Sequence, residues 1–175
     1  MKLKKEENLG KLWELNSVWD VLTDEEKNAI EDVVEVVHYR KNDLIHSEGD
    51  IPTHVMMLVS GKVRIYKEGI GQRQQIIRLL KPYDFFSYRA VVAGDSYTSC
   101  ASAFEECVIY QVERDYFMQL LQQNTRFCFQ ILSLMAGDLG LSELQTVNLT
   151  QKHIRGRLAE SLLTLKENYG TDDDE

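Results

Sequence analysis

The sequence predicts a mainly β fold with flanking helices, in which a sandwich or barrel of short strands is followed by a long α-helix. Residues 43–112 alternate short β-prone segments with turn residues, a pattern typical of such folds. Residues 125–149 form one uninterrupted apolar segment with helical character. The 175 residues, 43% hydrophobic and 27% charged, suffice for one globular domain with a buried core and an appended helix or two.

The first forty residues are predicted to be mostly helical. A capping box begins one helix, because the Thr23 hydroxyl can accept from the amide of Glu26 while the Glu26 carboxylate accepts from the amide of Thr23. Ala29, Ile30 and Val33 then recur at helical spacing and provide an apolar face. The β-prone residues that follow them predict the first strand.

Further short strands are predicted between turn signals. Val63 and Ile65 alternate with the polar Lys62 and Arg64, which is the period of two of a strand with one wet face. The predicted strands cover residues 44–46, 54–59, 63–66, 75–80, 98–104 and 107–112. Jelly-roll and Greek-key connections both accommodate this spacing.

The long segment after residue 124 is predicted to be a dimerisation helix. Its apolar side chains are too many for a single stripe, so the helix must be covered on two sides. Gly137 and Gly140 lower helix stability, which indicates close approach of another backbone. A second copy of the same helix is the simplest cover, because most soluble oligomers are symmetric dimers. The predicted dimer-helix residues are Phe127, Ile131, Leu134, Met135, Leu139 and Leu141.

Charge and cysteine content narrow the functional classes. The net charge of −8 argues against duplex DNA binding by this chain taken whole, since phosphates must be neutralised by clustered Lys and Arg. No signal peptide and no apolar run near the ~20 residues that cross a bilayer are evident, which predicts a cytoplasmic protein without a membrane segment. Cys100, Cys107 and Cys128 form no C-x-x-C pair, which argues against a disulfide framework or a clustered metal site.

Two motifs and the order of elements resemble the Crp/Fnr family of bacterial transcription regulators. Residues 45–50 (IHSEGD) and 57–66 (MLVSGKVRIY) are similar to the family's succession of strand, Gly-Asp turn, strand, Gly turn and strand. Residues 80–86 resemble the approach to the family's effector pocket. Residues 153–163 resemble the first helix of its winged helix-turn-helix domain. The resemblance covers nearly the whole chain.

This resemblance implies a double-stranded β-helix, the jelly-roll-like cyclic-nucleotide-binding fold. Residues 1–123 would form the sensor domain with flanking helices, residues 124–149 the dimerisation helix, and residues 150–175 the first helix of a truncated DNA-binding domain. The implied protein is a cytoplasmic homodimer that is not an enzyme. It would sense a small-molecule effector and contact DNA through a C-terminal domain absent from this chain.

The implied effector pocket departs from the pattern of nucleotide-binding members. Those members carry Gly-Glu in a short helix and Arg-Ser or Arg-Thr some residues later, because a buried cyclic phosphate needs a guanidinium and the ribose a carboxylate. Here the corresponding places hold Ser87-Tyr88 and Tyr97-Thr98. We therefore expect no response to cyclic AMP, and we interpret Arg89 as a surface arginine. The pocket residues implied by the resemblance are Phe86, Ser87, Tyr88, Arg89, Tyr97 and Thr98.

Other chemistries can be weighed by residue type. An iron–sulfur cluster needs four thiolates, and the chain has three cysteines. Haem needs an axial ligand, for which Met135 is a candidate, so a haem-based gas or redox sensor of the same family is one alternative. A cupin-like metal enzyme is an alternative from another class, although the sequence lacks the His-x-His pair and offers only His46 and His54 in its place. A scaffold domain with a disused pocket is the third alternative.

Overall fold

The computed structural model describes residues 12–69, 71, 73–151 and 153–169. Its N-terminal elements are α1 (Leu12–Leu15), a 3-10 turn (Ser17–Trp19) and α2 (Asp24–Val33). Thr23 caps α2, since its hydroxyl accepts from the Glu26 amide at 3.2 Å and its own amide donates to the Glu26 carboxylate at 2.8 Å. The predicted capping box is therefore confirmed.

The part of the chain that the structure describes contains eight strands, all paired antiparallel. They are β1 (Glu35–Tyr39), β2 (Leu44–His46), β3 (His54–Ser60), β4 (Val63–Glu68), β5 (Gln74–Leu80), β6 (Phe85–Phe86), β7 (Cys100–Ala103) and β8 (Cys107–Glu113). One sheet has the order β1-β8-β3-β6 and the other the order β2-β7-β4-β5. These two four-stranded sheets, which we call the β-roll, confirm the predicted jelly-roll-like double-stranded β-helix.

The core of the β-roll lies between the two sheets. β3 and β8 are buried along nearly their whole length, because each is a central strand with neighbours on both sides. On β4, Val63 and Ile65 pair with Ala103 and Ala101 of β7, so that small side chains face larger ones. The buried cluster comprises Met56, Leu58, Val63, Leu80, Phe86, Ala101, Ala103, Cys107 and Ile109.

Gly61 makes the tight connection between β3 and β4. Its φ is +84°, a left-handed conformation that glycine adopts without steric cost. A Cβ at this position would also overlap the carbonyl oxygen of Glu106 and lie 2.7 Å from the Cβ of Cys107. Glycine is therefore required here both by backbone conformation and by the closeness of the β7–β8 turn.

Four helices complete the described residues: α3 (Tyr88–Ala93), α4 (Arg114–Gln123), α5 (Thr125–Gln151) and α6 (Ile154–Tyr169). Helix α4 begins directly after β8, and one residue, Asn124, separates it from α5. Helix α5 runs two residues beyond the predicted end at residue 149. The chain divides into two compact units, residues 1–130 and residues 131–175.

An aromatic cluster fixes the first turn of α5 within the first unit. The ring of Phe127 stacks on Trp19, with centroids 5.2 Å apart, and meets Phe117 edge-on at 5.7 Å. Trp19 in turn contacts Phe85 of β6 at 5.1 Å. Asn124 caps the helix, because its side-chain oxygen accepts from the amide of Phe127 at 2.9 Å. The beginning of the long helix is thus part of the sensor core.

The second unit exposes most of its large apolar side chains. On α5 these are Leu132, Leu139, Leu141, Leu144 and Val147, and on α6 they are Ile154, Leu158, Leu162 and Leu163. The span Thr125–Asn148 is long and apolar enough to cross a membrane by length and composition. The expectation that no segment could do so is therefore wrong on that criterion, although one such helix is weak evidence of a span.

Candidate functional site

The predicted pocket residues lie on β6, on α3 and in the loop that follows. Phe86 pairs with Met56 of β3 and belongs to the core cluster. Ser87 follows with φ 71° and ψ −23°, a left-handed conformation that turns the chain from β6 into α3. Tyr88 is buried in the first turn of that helix. The backbone at Ser87 thus has the conformation of a glycine although the residue has a side chain.

Tyr97 is held by backbone bonds to the turn that follows β2. Its amide donates to the carbonyl of Asp50 at 2.9 Å, and its carbonyl accepts from the amide of Gly49 at 2.8 Å. The Tyr97 ring is buried and stacks on the ring of His46, with centroids 3.7 Å apart and planes inclined by 18°. Two aromatic rings from different segments therefore fill this part of the site together.

One polar atom beside this stack is unpaired. His46 Nδ1 is buried and has no hydrogen-bond partner of acceptable geometry. Burial lowers the pKa of His46 to about 4, so the imidazole is neutral near pH 7. Burial also raises the pKa of the Tyr97 phenol, and a hydrogen bond with the Ser87 side chain partly offsets that rise. The stack is accordingly uncharged, and the chain leaves the hydrogen-bonding capacity of His46 Nδ1 unused.

The basic residue among the six predicted pocket residues lies at the surface. Arg89 is exposed, and its Nη2 donates to the Thr98 hydroxyl at 3.2 Å, with Thr98 exposed as well. The interpretation of Arg89 as a surface arginine agrees with this position. None of the six therefore provides a buried cation for a phosphate.

His46 is the residue of this site that the sequence analysis did not include. It ends β2, where a register irregularity between Leu44 and His46 places it opposite Ala101. The predicted turn motif at residues 45–50 contains it, but a motif does not state which way a side chain points. Only the fold brings His46 to Tyr97, which lies some fifty residues further along the chain.

The predicted dimer-helix residues divide into two groups. Phe127 packs on Trp19 and Phe117, and Ile131 is buried, so neither is free for a partner helix, and this part of the prediction is corrected. Leu134 and Met135 are half-buried, whereas Leu139 and Leu141 are 62% and 59% exposed. The sequence period could not separate the two groups, because Trp19 and Phe117 cover the first turn of the same helix that is exposed later.

No metal centre replaces this site in the described part of the chain. Among those residues, no group of three or more His, Cys, Asp and Glu side chains could hold a metal ion. The cupin-like alternative therefore gains no support. A cavity of about 240 Å³ lies between α2 and α4, lined by Glu25, Glu26, Ala29, Tyr116, Gln119, Leu120 and Gln123. It shares no residue with the six predicted pocket residues.

Comparison with known proteins connects the fold to one family. Residues 36–124, which include the β-roll, α3 and α4, match the family described as cyclic nucleotide-binding domain. The "CRP-like cAMP-activated global transcriptional regulator" of Mycobacterium tuberculosis is 22% identical over 143 residues, which cover 82% of this chain and 64% of the relative. The structure of FixK2 from Bradyrhizobium japonicum has a TM-score of 0.72 at 25% identity and covers 80% of this chain and 69% of that chain.

A part of one enzyme is also similar. A cGMP-dependent protein kinase of Drosophila melanogaster is 33% identical over 97 residues, which cover 53% of this chain but 10% of the kinase. The similarity is thus to a small part of that kinase, while the regulators are matched over more than half of their length. The chain spans 64% of the first of its curated relatives. It belongs to the cyclic nucleotide-binding domain family, and its relatives among bacterial regulators confirm the resemblance to the Crp/Fnr family.

Proposed function

We propose that this chain is the effector-sensing and dimerising portion of a Crp/Fnr-type DNA-binding transcription regulator that does not respond to cyclic AMP. The family and the fold support the sensing role. The carrying observation is the exposed apolar surface of α5, because soluble proteins rarely leave large apolar patches uncovered unless they bind something. Such a protein acts in the cytoplasm and is not an enzyme.

Dimerisation through α5 accounts for this surface. Leu139 and Leu141 are exposed on a helix whose first turns are anchored in the sensor core. Two copies of the helix would shield these leucines from water and join two sensors. An effector that favours one setting of the helix pair would then reorient whatever follows it, to the extent of its differential affinity for the two settings.

The contact with DNA belongs to a domain outside this chain. The net charge of −8 opposes phosphate binding by the chain as given. The regulator from Mycobacterium tuberculosis is longer than the matched region, which covers 64% of it. We therefore assign the DNA-binding role to a C-terminal winged helix-turn-helix domain, of which α6 would be the first helix.

Sedimentation equilibrium tests the dimer. We expect the chain to be a dimer and Leu139→Glu to convert it to a folded monomer, because a charge in the helix pair is unfavourable. Ile51→Glu is the matched control, since Ile51 is also exposed but lies in a loop of the β-roll. A wild-type chain that sediments as a monomer at high concentration, or that is recovered with membranes, would contradict the proposal.

Calorimetric titration with cyclic AMP tests the proposal that the protein does not respond to this nucleotide. By the resemblance, both charged anchors of nucleotide-binding members are missing, and Tyr97 corresponds to the arginine. We expect no heat of binding at physiological nucleotide concentrations. Tight binding of cyclic AMP would show that another cation, with Arg89 the first candidate, replaces the missing anchor.

Haem sensing is the alternative with less support. His46 is neutral and has an unpartnered ring nitrogen, but its ring face is covered by Tyr97. Met135 is half-buried on α5, and we identify no histidine among the described residues that would serve with it as the second axial haem ligand. Ultraviolet–visible spectra of protein from a haem-supplied culture decide between the two, since a Soret band would favour the haem alternative.

A further inference from the structure

The contact between Tyr97 and His46 differs from ordinary core packing. Tyr97 lies in a loop between α3 and β7, and its ring reaches a histidine at the end of β2. The rings are parallel to within 18° and their centroids are 3.7 Å apart, the arrangement of a flat ligand on an aromatic platform. Backbone hydrogen bonds to Gly49 and Asp50 hold the loop in place. The ring that stacks on His46 is therefore a side chain of the protein itself and not a ligand.

One buried polar atom beside the stack is unpaired. His46 is 8% exposed, yet its Nδ1 has no hydrogen-bond partner. Buried polar atoms are nearly always paired in folded proteins, so this one needs an explanation. A molecule that brought its own donor or acceptor would pair it.

The charge of the site limits which molecules it can take. Burial keeps His46 uncharged, and hydrogen bonding with the Ser47 backbone and then the nearby Asp50 carboxylate oppose this effect to a smaller extent. Arg89 is exposed and donates to Thr98 at 3.2 Å. An anion placed beside the stack would lose its hydration without gaining a buried cation. A flat molecule without net charge loses little on entering.

We propose that Tyr97 is a resident occupant of the effector pocket, and that the pocket accepts a flat, uncharged aromatic molecule that replaces Tyr97 on the His46 ring. This inference rests on the proposed function, because it names the effector class of the same sensor. Displacement of Tyr97 would move the loop that joins α3 to β7. The β-roll would then differ in conformation from the state in which Tyr97 fills the pocket.

Chemical complementation tests this proposal in the full chain. Tyr97→Ala removes the phenol side chain, and p-cresol, which has the same shape, serves as the probe. We expect p-cresol to raise the melting temperature of Tyr97→Ala by several degrees. The wild type should respond only at much higher p-cresol concentrations, because there the molecule must first displace the Tyr97 ring. Tyr66→Ala is the matched control, because Tyr66 is 6% exposed against 7% for Tyr97 but lies on β4 beneath the Arg64 guanidinium.

The role of His46 gives a second readout. In the double variant His46→Ala/Tyr97→Ala, the affinity for p-cresol should fall by about tenfold, the loss expected for one aromatic stack. Cyclic AMP and benzoate at the same concentration should not replace p-cresol in Tyr97→Ala, because both are anions.

Three outcomes would overturn the proposal. They are stabilisation of Tyr66→Ala to the same extent, no response of Tyr97→Ala to p-cresol, and failure of Tyr97→Ala to fold even with p-cresol present, which would make Tyr97 a core residue. None of these outcomes bears on dimerisation. Sedimentation of the same variants separates failure of this inference from failure of the proposed function.

Discussion

The β-roll buries its core apolar side chains, whereas the C-terminal helices leave many of theirs exposed. In the β-roll, strands from two sheets bury nine core residues against one another. On α5, Phe127 is fully buried, whereas Leu139 of the same helix is 62% exposed. Apolar residues of one helix can therefore serve two purposes. Those with partners in the chain stabilise the fold, and those without partners indicate an interface.

The substitution with the largest expected effect on stability distinguishes the buried residues of α5 from the exposed ones. Phe127→Ala should lower the free energy of unfolding of the chain by about 3–5 kcal/mol, because it removes a ring stacked between Trp19 and Phe117. Leu139→Ala should leave the unfolding of a monomer nearly unchanged and weaken the dimer instead. Urea denaturation at two protein concentrations measures both quantities.

Equal losses of unfolding free energy in these two variants, independent of protein concentration, would contradict the assignment of Phe127 to the core and of Leu139 to an interface. They would mean that Leu139 is buried within its own chain in solution. The interface on α5 would then have to be sought elsewhere on the helix.

Substitutions at two glycines test the same distinction between the β-roll and α5. Gly61→Ala should cost about 3 kcal/mol of unfolding free energy, since the new Cβ overlaps the Glu106 carbonyl and the φ of +84° disfavours a side chain. Gly137→Ala meets open space within its own chain and should stabilise the isolated helix by about 1 kcal/mol. We expect it nevertheless to raise the dissociation constant of the dimer, as predicted for a glycine that allows close approach of a second helix.

Gly49→Ala is the control for the first of these variants. Gly49 has a φ of +90° but nothing near its Cβ position, so its substitution measures the backbone cost alone, about 1 kcal/mol. Thermal unfolding gives the three stabilities, and sedimentation gives the dimer constants. A Gly137→Ala chain that dimerises more tightly would refute the close approach of the helices.

Most of the β-roll could be predicted because its signals are local. The alternation around Val63 and Ile65, the glycine at the β3–β4 turn and the capping box at Thr23 each follow from neighbouring residues. The two-residue strand Phe85–Phe86 was not predicted, since it is too short to show a period. The orientation of α5 was predicted in part. Its apolar width indicated two covered sides but did not show that Phe127 belongs to the sensor core.

The candidate site was harder to predict, because it depends on contacts between distant segments. Tyr88 and Tyr97 were identified by their places in a resemblance, and the missing charges followed from residue type. The partner of Tyr97 could not be identified, since the direction of the His46 side chain depends on a register irregularity in β2. Local patterns predict which residues form an element, while the pairing of elements decides which side chains meet.

The next expected effect concerns pH. Burial lowers the pKa of His46 to about 4 from an ordinary value near 6.5, so the unfolded chain binds more protons between these values. The stability that depends on neutral His46 is therefore complete above pH 6.5 and is lost as the pH falls towards 4. This contribution is on the order of 2–3 kcal/mol. His46→Phe keeps a flat ring and should flatten the dependence of unfolding free energy on pH in this range.

His38→Gln is the control, because His38 is exposed on β1 and contributes no buried ring. The slope for this variant should match that of the wild type. If His46→Phe retains the full wild-type slope, the imidazole is hydrated in solution, and the site is more open than the stacked geometry implies.

The smallest expected effect is a gain in stability at the site. Ser87 has a φ of 71°, and by the resemblance the nucleotide-binding members carry glycine at the corresponding place. Ser87→Gly should raise the unfolding free energy by about 1 kcal/mol, because it relieves a left-handed conformation. Ser99→Gly, in the same region without a positive φ, should lower stability by a similar amount. If Ser87→Gly is instead destabilising, the hydrogen bond between Ser87 and Tyr97 contributes more to stability than the left-handed backbone costs.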